Sequence, residues 1–135
     1  MSTRSQLVPP RPAAFVEARR FVRETALHSA PEEVPSQIVD DAMLLTSELV
    51  TNAVRHSGHG SEEPIELSVS VDAHLLRVRV RDRGPGFDPD TRVRSGHGGW
   101  GLDLVRRLSS RWGVDRTRDG TDVWFEIDLP GDPAP

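Results

Sequence analysis

The sequence predicts a two-layer α/β sandwich, in which a mostly antiparallel mixed sheet is covered on one face by about three helices. Three observations carry that expectation. Up to His56, apolar residues recur every three or four positions, the period of an amphipathic helix. From Ile65 the period drops to two, as in strands with one buried face. Successive strands follow one another along the chain, which favours antiparallel pairing, and their single apolar faces call for helices on one side only.

Residues 1–11 are polar, contain Pro9 and Pro10, and read as a flexible arm or a short edge strand. From Pro12, the positions Ala14, Phe15, Ala18, Phe21, Val22 and Thr25 form one stripe, with Arg19, Arg20, Arg23 and Glu24 mostly outside it. Pro31 and Pro35 break this first helix, and Ser36 can cap a second, whose apolar positions Ile38, Val39, Ala42, Leu45, Leu49, Ala53 and Val54 run to about His56. Ile65, Leu67, Val69 and Val71 then alternate with polar residues. After an Asp72-Ala73-His74 turn, Leu76, Val78 and Val80 alternate with Arg77, Arg79 and Arg81. Asp82 shares the parity of the buried residues, an unusual place for an acid. Residues 83–101 form a long loop rich in Gly, Pro, Asp and Arg, of the kind that carries function. A short helix over 102–108 precedes strands over 111–116 and 121–129, joined by a turn at Arg118-Asp119-Gly120. In the last strand Thr121, Val123, Phe125, Ile127 and Leu129 point inward, and Trp124, Glu126 and Asp128 outward. Residues 131–135 read as a flexible tail.

Composition excludes several classes of function. The chain of 135 residues is expected to be one domain, and it has no cysteine for a disulfide or a thiolate metal site. All 17 basic residues are arginine. Without lysine there is no Walker A loop, no eukaryotic-type protein kinase site and no Schiff base. The net charge of -4 argues against a nucleic-acid backbone or an anionic membrane as the main partner. No stretch is apolar enough to span a bilayer and no apolar signal core follows the N-terminus, so a cytoplasmic protein is expected.

Three patches carry chemistry. Glu48 and Asn52 lie four residues apart on the second helix, so both side chains leave one face. An amide oxygen can serve magnesium, a hard ion that keeps waters and leans on substrate phosphates, and a carboxylate one turn earlier can orient or deprotonate a hydroxyl or water. Asp82, followed by Gly84 and Gly86, offers an acceptor for an exocyclic amino group beside backbone open to a flat base such as adenine. Gly96 to Gly101 matches the dinucleotide pattern G-x-G-x-x-G, but it follows a loop rather than a strand and lies too near the C-terminus for a doubly wound sheet. The backbone N–H groups of Gly98, Gly99, Trp100, Gly101 and Leu102, at a helix start, still make an anion site. Thr121 can place a hydroxyl near the base.

In this order and spacing the patches resemble the GHKL, or Bergerat-fold, ATP-binding family shared by gyrase B, heat-shock chaperones, sensor histidine kinases and mismatch-repair proteins. Residues 48–56 resemble its N box, 82–86 its first glycine box and 98–102 its second. The short lid, Asn52-Ala-x-x-His56 and Gly120-Thr121-x-Val123 resemble the anti-sigma-factor serine/threonine kinase branch. The resemblance implies an ATP-binding kinase-like domain over 12–130 that binds ATP and Mg2+. It further implies a γ-phosphate transferred to an anti-anti-sigma protein and regulation of a sigma factor. It casts Glu48 as catalytic base, Asn52 as metal ligand, Asp82 as adenine anchor and the 98–102 backbone as phosphate cradle.

Other signals point elsewhere. The Arg77, Arg79, Arg81 ladder reads as the solvent face of the sheet, balanced by Glu126 and Asp128, rather than a nucleic-acid stripe. The histidines do not group at metal-ligand spacing. Arg55 and His56 sit at a helix end within reach of phosphate or simply facing its dipole. Trp100 belongs to the lid, Trp112 to the core, and outward Trp124 to a partner surface, with a homodimer permitted. The competing reading is a noncatalytic module in which ATP orders the lid and grips or releases a protein. A fragment of a sensor histidine kinase fits poorly, because the chain lacks a span and a phosphoacceptor helical pair.

Overall fold

The computed structural model describes residues 2–30, 33–56, 63–82, 99–117 and 120–130. Among these residues five strands and three helices follow in the order β1 (Ser2–Val8), α1 (Ala14–His28), α2 (Ser36–His56), β2 (Ile65–Val71), β3 (Leu75–Asp82), α3 (Gly99–Leu108), β4 (Arg111–Thr117) and β5 (Gly120–Asp128). The sheet runs β1-β2-β3-β5-β4 and every described pairing is antiparallel. The N-terminal residues supply the edge strand of the two forms expected: β1 pairs along its whole length with β2, and its last residue, Val8, is buried.

The strands show why one layer of helices suffices. Burial alternates strictly along β3, where Leu76, Val78, Val80 and Asp82 are buried and the residues between them are half-buried. Phe125 in β5 and Ile65 and Leu67 in β2 are fully enclosed, each burial stabilising by roughly 1.5–3 kcal/mol. The buried stripe of α1, Ala14, Ala18, Phe21, Val22, Thr25 and Ala26, lies against α2, β1 and β2. Helix α2 packs on β2, β3 and β5 and also against α3. Trp112, expected in the core, packs at its margin, with the Arg106 guanidinium 5.9 Å from its ring centroid.

Helix α3 starts three residues earlier than expected, so Gly99, Trp100 and Gly101 form its first turn rather than the end of a loop. Glycine lowers helix propensity, which is why periodicity alone began the helix at Leu102. At a helix start that weakness matters less, because the first four N–H groups have no intrahelical acceptor in any case.

Connection lengths orient the layer. Val8 pairs with Ile65 at the sheet end that also holds Asp82, and α1 begins six residues later, so it starts near that end and runs away from it. Helix α2 returns. Leu108 lies three residues before Arg111, at the opposite end of the sheet, so the ten residues of α3, about 15 Å long, carry its N-terminus back toward Asp82. No helix among the described residues is long and apolar enough to cross a membrane.

Candidate functional site

The C-terminal half of α2, the end of β3, the start of β5 and the start of α3 therefore face one end of the sheet. On α2, Leu45, Leu49, Val50 and Ala53 anchor the core-facing side. Asn52 is drawn in with them and is only 6% exposed. Among the described residues its Nδ2 is buried with no hydrogen-bond partner. An amide left in that state costs about 1–3 kcal/mol, so it reads as a group held for something else. Glu48, one turn earlier, is half-buried at the margin of the same face.

Asp82 is the last residue of β3 and lies in register with Thr121, the second residue of β5. Both are buried, at 5% and 3% exposure. A carboxylate and a hydroxyl thus stand side by side on the inner face, where Leu76, Val78 and Val80 lead up to one and Val123, Phe125 and Ile127 lead away from the other. Gly120, immediately before Thr121, has φ 155°, a backbone that glycine adopts and side chains resist. It is the first residue of β5, so Thr121 follows it directly in the strand.

Leu102 is 1% exposed and ties the N-terminal part of α3 into the core. Arg55 is exposed in the last turn of α2, and His56 is the final residue of that helix. Glu48, Asn52, Asp82, Thr121 and the start of α3 thus belong to the elements directed at this end of the sheet. Gly84, Gly86 and Gly98 lie outside the described residues. No cluster of three or more His, Asp or Glu forms a metal site among the described residues.

One contributor was missed from sequence. Asp122 has outward parity yet is 6% exposed, because Arg81 donates from Nε and an Nη to its two carboxylate oxygens at 2.7 and 2.9 Å. This clamp joins the residue before Asp82 to the residue after Thr121. The cross-strand balance of the arginine ladder was also assigned differently. Asp128 pairs with Arg111, not with the ladder, and Glu126 is shared between Arg77 and Arg111. The Arg111 contacts hold the Asp128 carboxyl below the usual range and raise the guanidinium above its ordinary value.

The sequence pattern of the family described as histidine kinase-like ATPase domain matches residues 8–127. The chain is similar to the signal transduction histidine-protein kinase AfsQ2 of Streptomyces coelicolor, 28% identical over 109 residues, covering 68% of this chain and 20% of that protein. It is 36% identical over 84 residues to the sensor protein VraS of Staphylococcus epidermidis, covering 62% and 23%. It is 33% identical over 102 residues to blue-light-activated histidine kinase 2 of Erythrobacter litoralis, covering 73% and 29%. The chain thus spans less than a third of the length of each. Among solved structures, that of the RsbU and RsbW domains of Rv1364c from Mycobacterium tuberculosis aligns with a TM-score of 0.72 at 19% identity, covering 100% of this chain and 35% of that one, a likeness of fold alone. The Erythrobacter litoralis EL346 blue-light activated histidine kinase aligns with a TM-score of 0.63 at 26% identity, covering 87% and 41%.

Proposed function

Since the chain belongs to the histidine kinase-like ATPase domain family, we propose that it binds MgATP at the Asp82 end of the sheet and transfers the γ-phosphate to a serine or threonine hydroxyl of a partner protein, an anti-anti-sigma protein, thereby regulating a sigma factor. The observation that carries the site is the pair of buried polar side chains, Asn52 and Asp82, on faces otherwise given to the core. The unpartnered Asn52 amide fits this reading. Turned about its last torsion it presents its oxygen to a cation, and in the observed orientation it offers a donor for phosphate. Asn52 would be the protein ligand to magnesium, which when bound neutralises charge on the phosphates.

The chain's own residues then have separate tasks. Asp82 accepts a hydrogen bond from the adenine amino group, with the Thr121 hydroxyl beside it. The first N–H groups of α3 receive phosphate oxygens, aided by the helix dipole. Glu48 accepts the proton of the attacking hydroxyl, its half-exposed position leaving room for the acceptor. Residues 12–130 form the ATP-binding domain in this reading, with Arg55 and His56, at the end of α2, assigned to phosphate.

The names of the curated relatives favour a second reading, in which the acceptor is a histidine. The two differ in the chemistry of the product. Incubating the full chain with γ-labelled ATP and co-purified protein should label the partner with phosphate that survives acid, as a serine or threonine ester does. Glu48→Gln should abolish labelling while ATP still binds. Acid-labile label would shift the reading to a histidine acceptor, and ATP binding with no transfer by the native chain to a serine-bearing partner would leave a noncatalytic module.

A further inference from the structure

On the face of the sheet away from the helices, register arranges the outward residues of β1, β2 and β3 in three rows. These are Thr3, Ser70 and Arg77, then Ser5, Ser68 and Arg79, then Leu7, Glu66 and Arg81. Strand β5 extends them with Glu126, Trp124 and Asp122. The outer rows each supply an acid to their arginine: Arg77 Nε lies 3.8 Å from Glu126, and Arg81 is held by Asp122 at 2.7 Å. The middle row contains no acid. Arg79 stands between a serine and an indole, half-buried, and forms no ion pair among the described residues.

The surroundings of Arg79 are built from donors. Thr3 and Ser70 share a hydrogen bond of 2.9 Å, and Ser5 and Ser68 one of 3.0 Å. Each pair spends one hydroxyl proton on the other, leaving a second to donate outward. Thr3, Ser68, Ser70, Arg77 and Arg79 line a hollow of about 270 Å³. Two guanidiniums and a set of hydroxyls, with no carboxylate among the described lining residues, suit an oxyanion, and a partly desolvated guanidinium gains most from a charged acceptor.

We propose that this hollow receives a carboxylate from an acidic segment of a partner protein, with Arg79 as its counter-charge. The rim favours a protein over a small anion. Leu7 is 61% exposed on one side, and on the other Trp124 lies flat enough over Gly113 that an added Cβ would meet its ring at 2.6 Å. Arg77 stacks over the same indole with its guanidinium carbon 5.1 Å from the ring centroid, so apolar and aromatic surface frames the polar hollow. The site lies on the sheet face opposite the helices, so it stands or falls independently of nucleotide binding.

The test is an amide NMR titration of the full chain with hexaglutamate, with hexaglutamine and inorganic phosphate as comparisons. Hexaglutamate should shift the amides of Ser68, Ser70 and Arg79 and the Trp124 indole N–H, and hexaglutamine should not. Arg79→Gln should weaken this binding about tenfold with its melting temperature unchanged, and Arg79→Lys should retain most of it. Equal binding by Arg79→Gln overturns the proposal. Phosphate producing the same shifts more tightly than the peptide would reassign the hollow to a small anion. A dimer that dissociates in Arg79→Gln would assign the carboxylate to a second copy of the chain, and either outcome removes the partner segment.

Discussion

The clamp between Arg81 and Asp122 makes a quantitative prediction that links stability to the site. Two hydrogen bonds of 2.7 and 2.9 Å form a bidentate pair in which the Asp122 side chain is 8% exposed and the Arg81 side chain 37%. A fully buried pair costs about 3–5 kcal/mol to break, and a surface pair contributes about 0.2–1 kcal/mol. With one partner more than a third exposed, solvent screening places the coupling near 1–2 kcal/mol, as an order of magnitude. A double-mutant cycle of Arg81→Gln and Asp122→Asn, measured by urea unfolding, should return that value. For a domain of this size each single variant should melt about 5 °C lower. The pair also adjoins Asp82 and Thr121, so each single variant should bind ATP roughly three- to tenfold more weakly. A coupling below about 0.3 kcal/mol would refute the energetic estimate. A sound coupling with unaltered ATP affinity would refute the link between the clamp and the strand ends that carry the site.

Three further outcomes follow from single side chains. Asn52→Ala removes a buried amide whose Nδ2 has no partner among the described residues, so stability should change by less than about 1 kcal/mol while calorimetry shows MgATP binding greatly weakened. Asp72 accepts the N–H groups of His74 and Leu75 at 2.7 and 2.9 Å, and these bonds hold its carboxyl below the usual range. A folded pKa below the unfolded one means the unfolded chain takes up the proton more readily. The native protein should therefore exceed Asp72→Ala in stability by roughly 0.5–1 kcal/mol above about pH 4, and the two should converge as pH falls through the folded value. Gly113→Ala places a methyl group 2.6 Å from the Trp124 ring. Lifting the indole breaks its 3.2 Å bond to Asp115 and its contact with Arg77, so unfolding should be easier by about 1 kcal/mol and the indole N–H resonance should move.

Much of the fold was legible because two periods are written plainly in the chain. Residues 36–56 and 65–71 carry their helical and alternating patterns without interruption, and the observed bounds of α2 and β2 agree with them. The start of α3 was not legible, because glycines suit a helix N-terminus and a loop equally well. Nor was the burial of Asp122. Its partner Arg81 lies on a strand separated from it by residues 83–98, α3 and β4, and no local rule sets the register across such a connection. For the candidate site, Asp82 stood out because an acid occupied a core parity, and the structure buries it there. Thr121 was placed inward by the same counting. That Arg79 forms no ion pair among the described residues was invisible, since Arg77, Arg79 and Arg81 look alike until cross-strand neighbours distinguish them.

Calorimetric titration of MgATP into the full chain and into Asp82→Ala tests the central claim most directly. The native protein should show saturable one-site binding, and the variant should lose at least about tenfold in affinity while it still unfolds cooperatively. No heat from folded native protein, or equal affinity in the two, would contradict it.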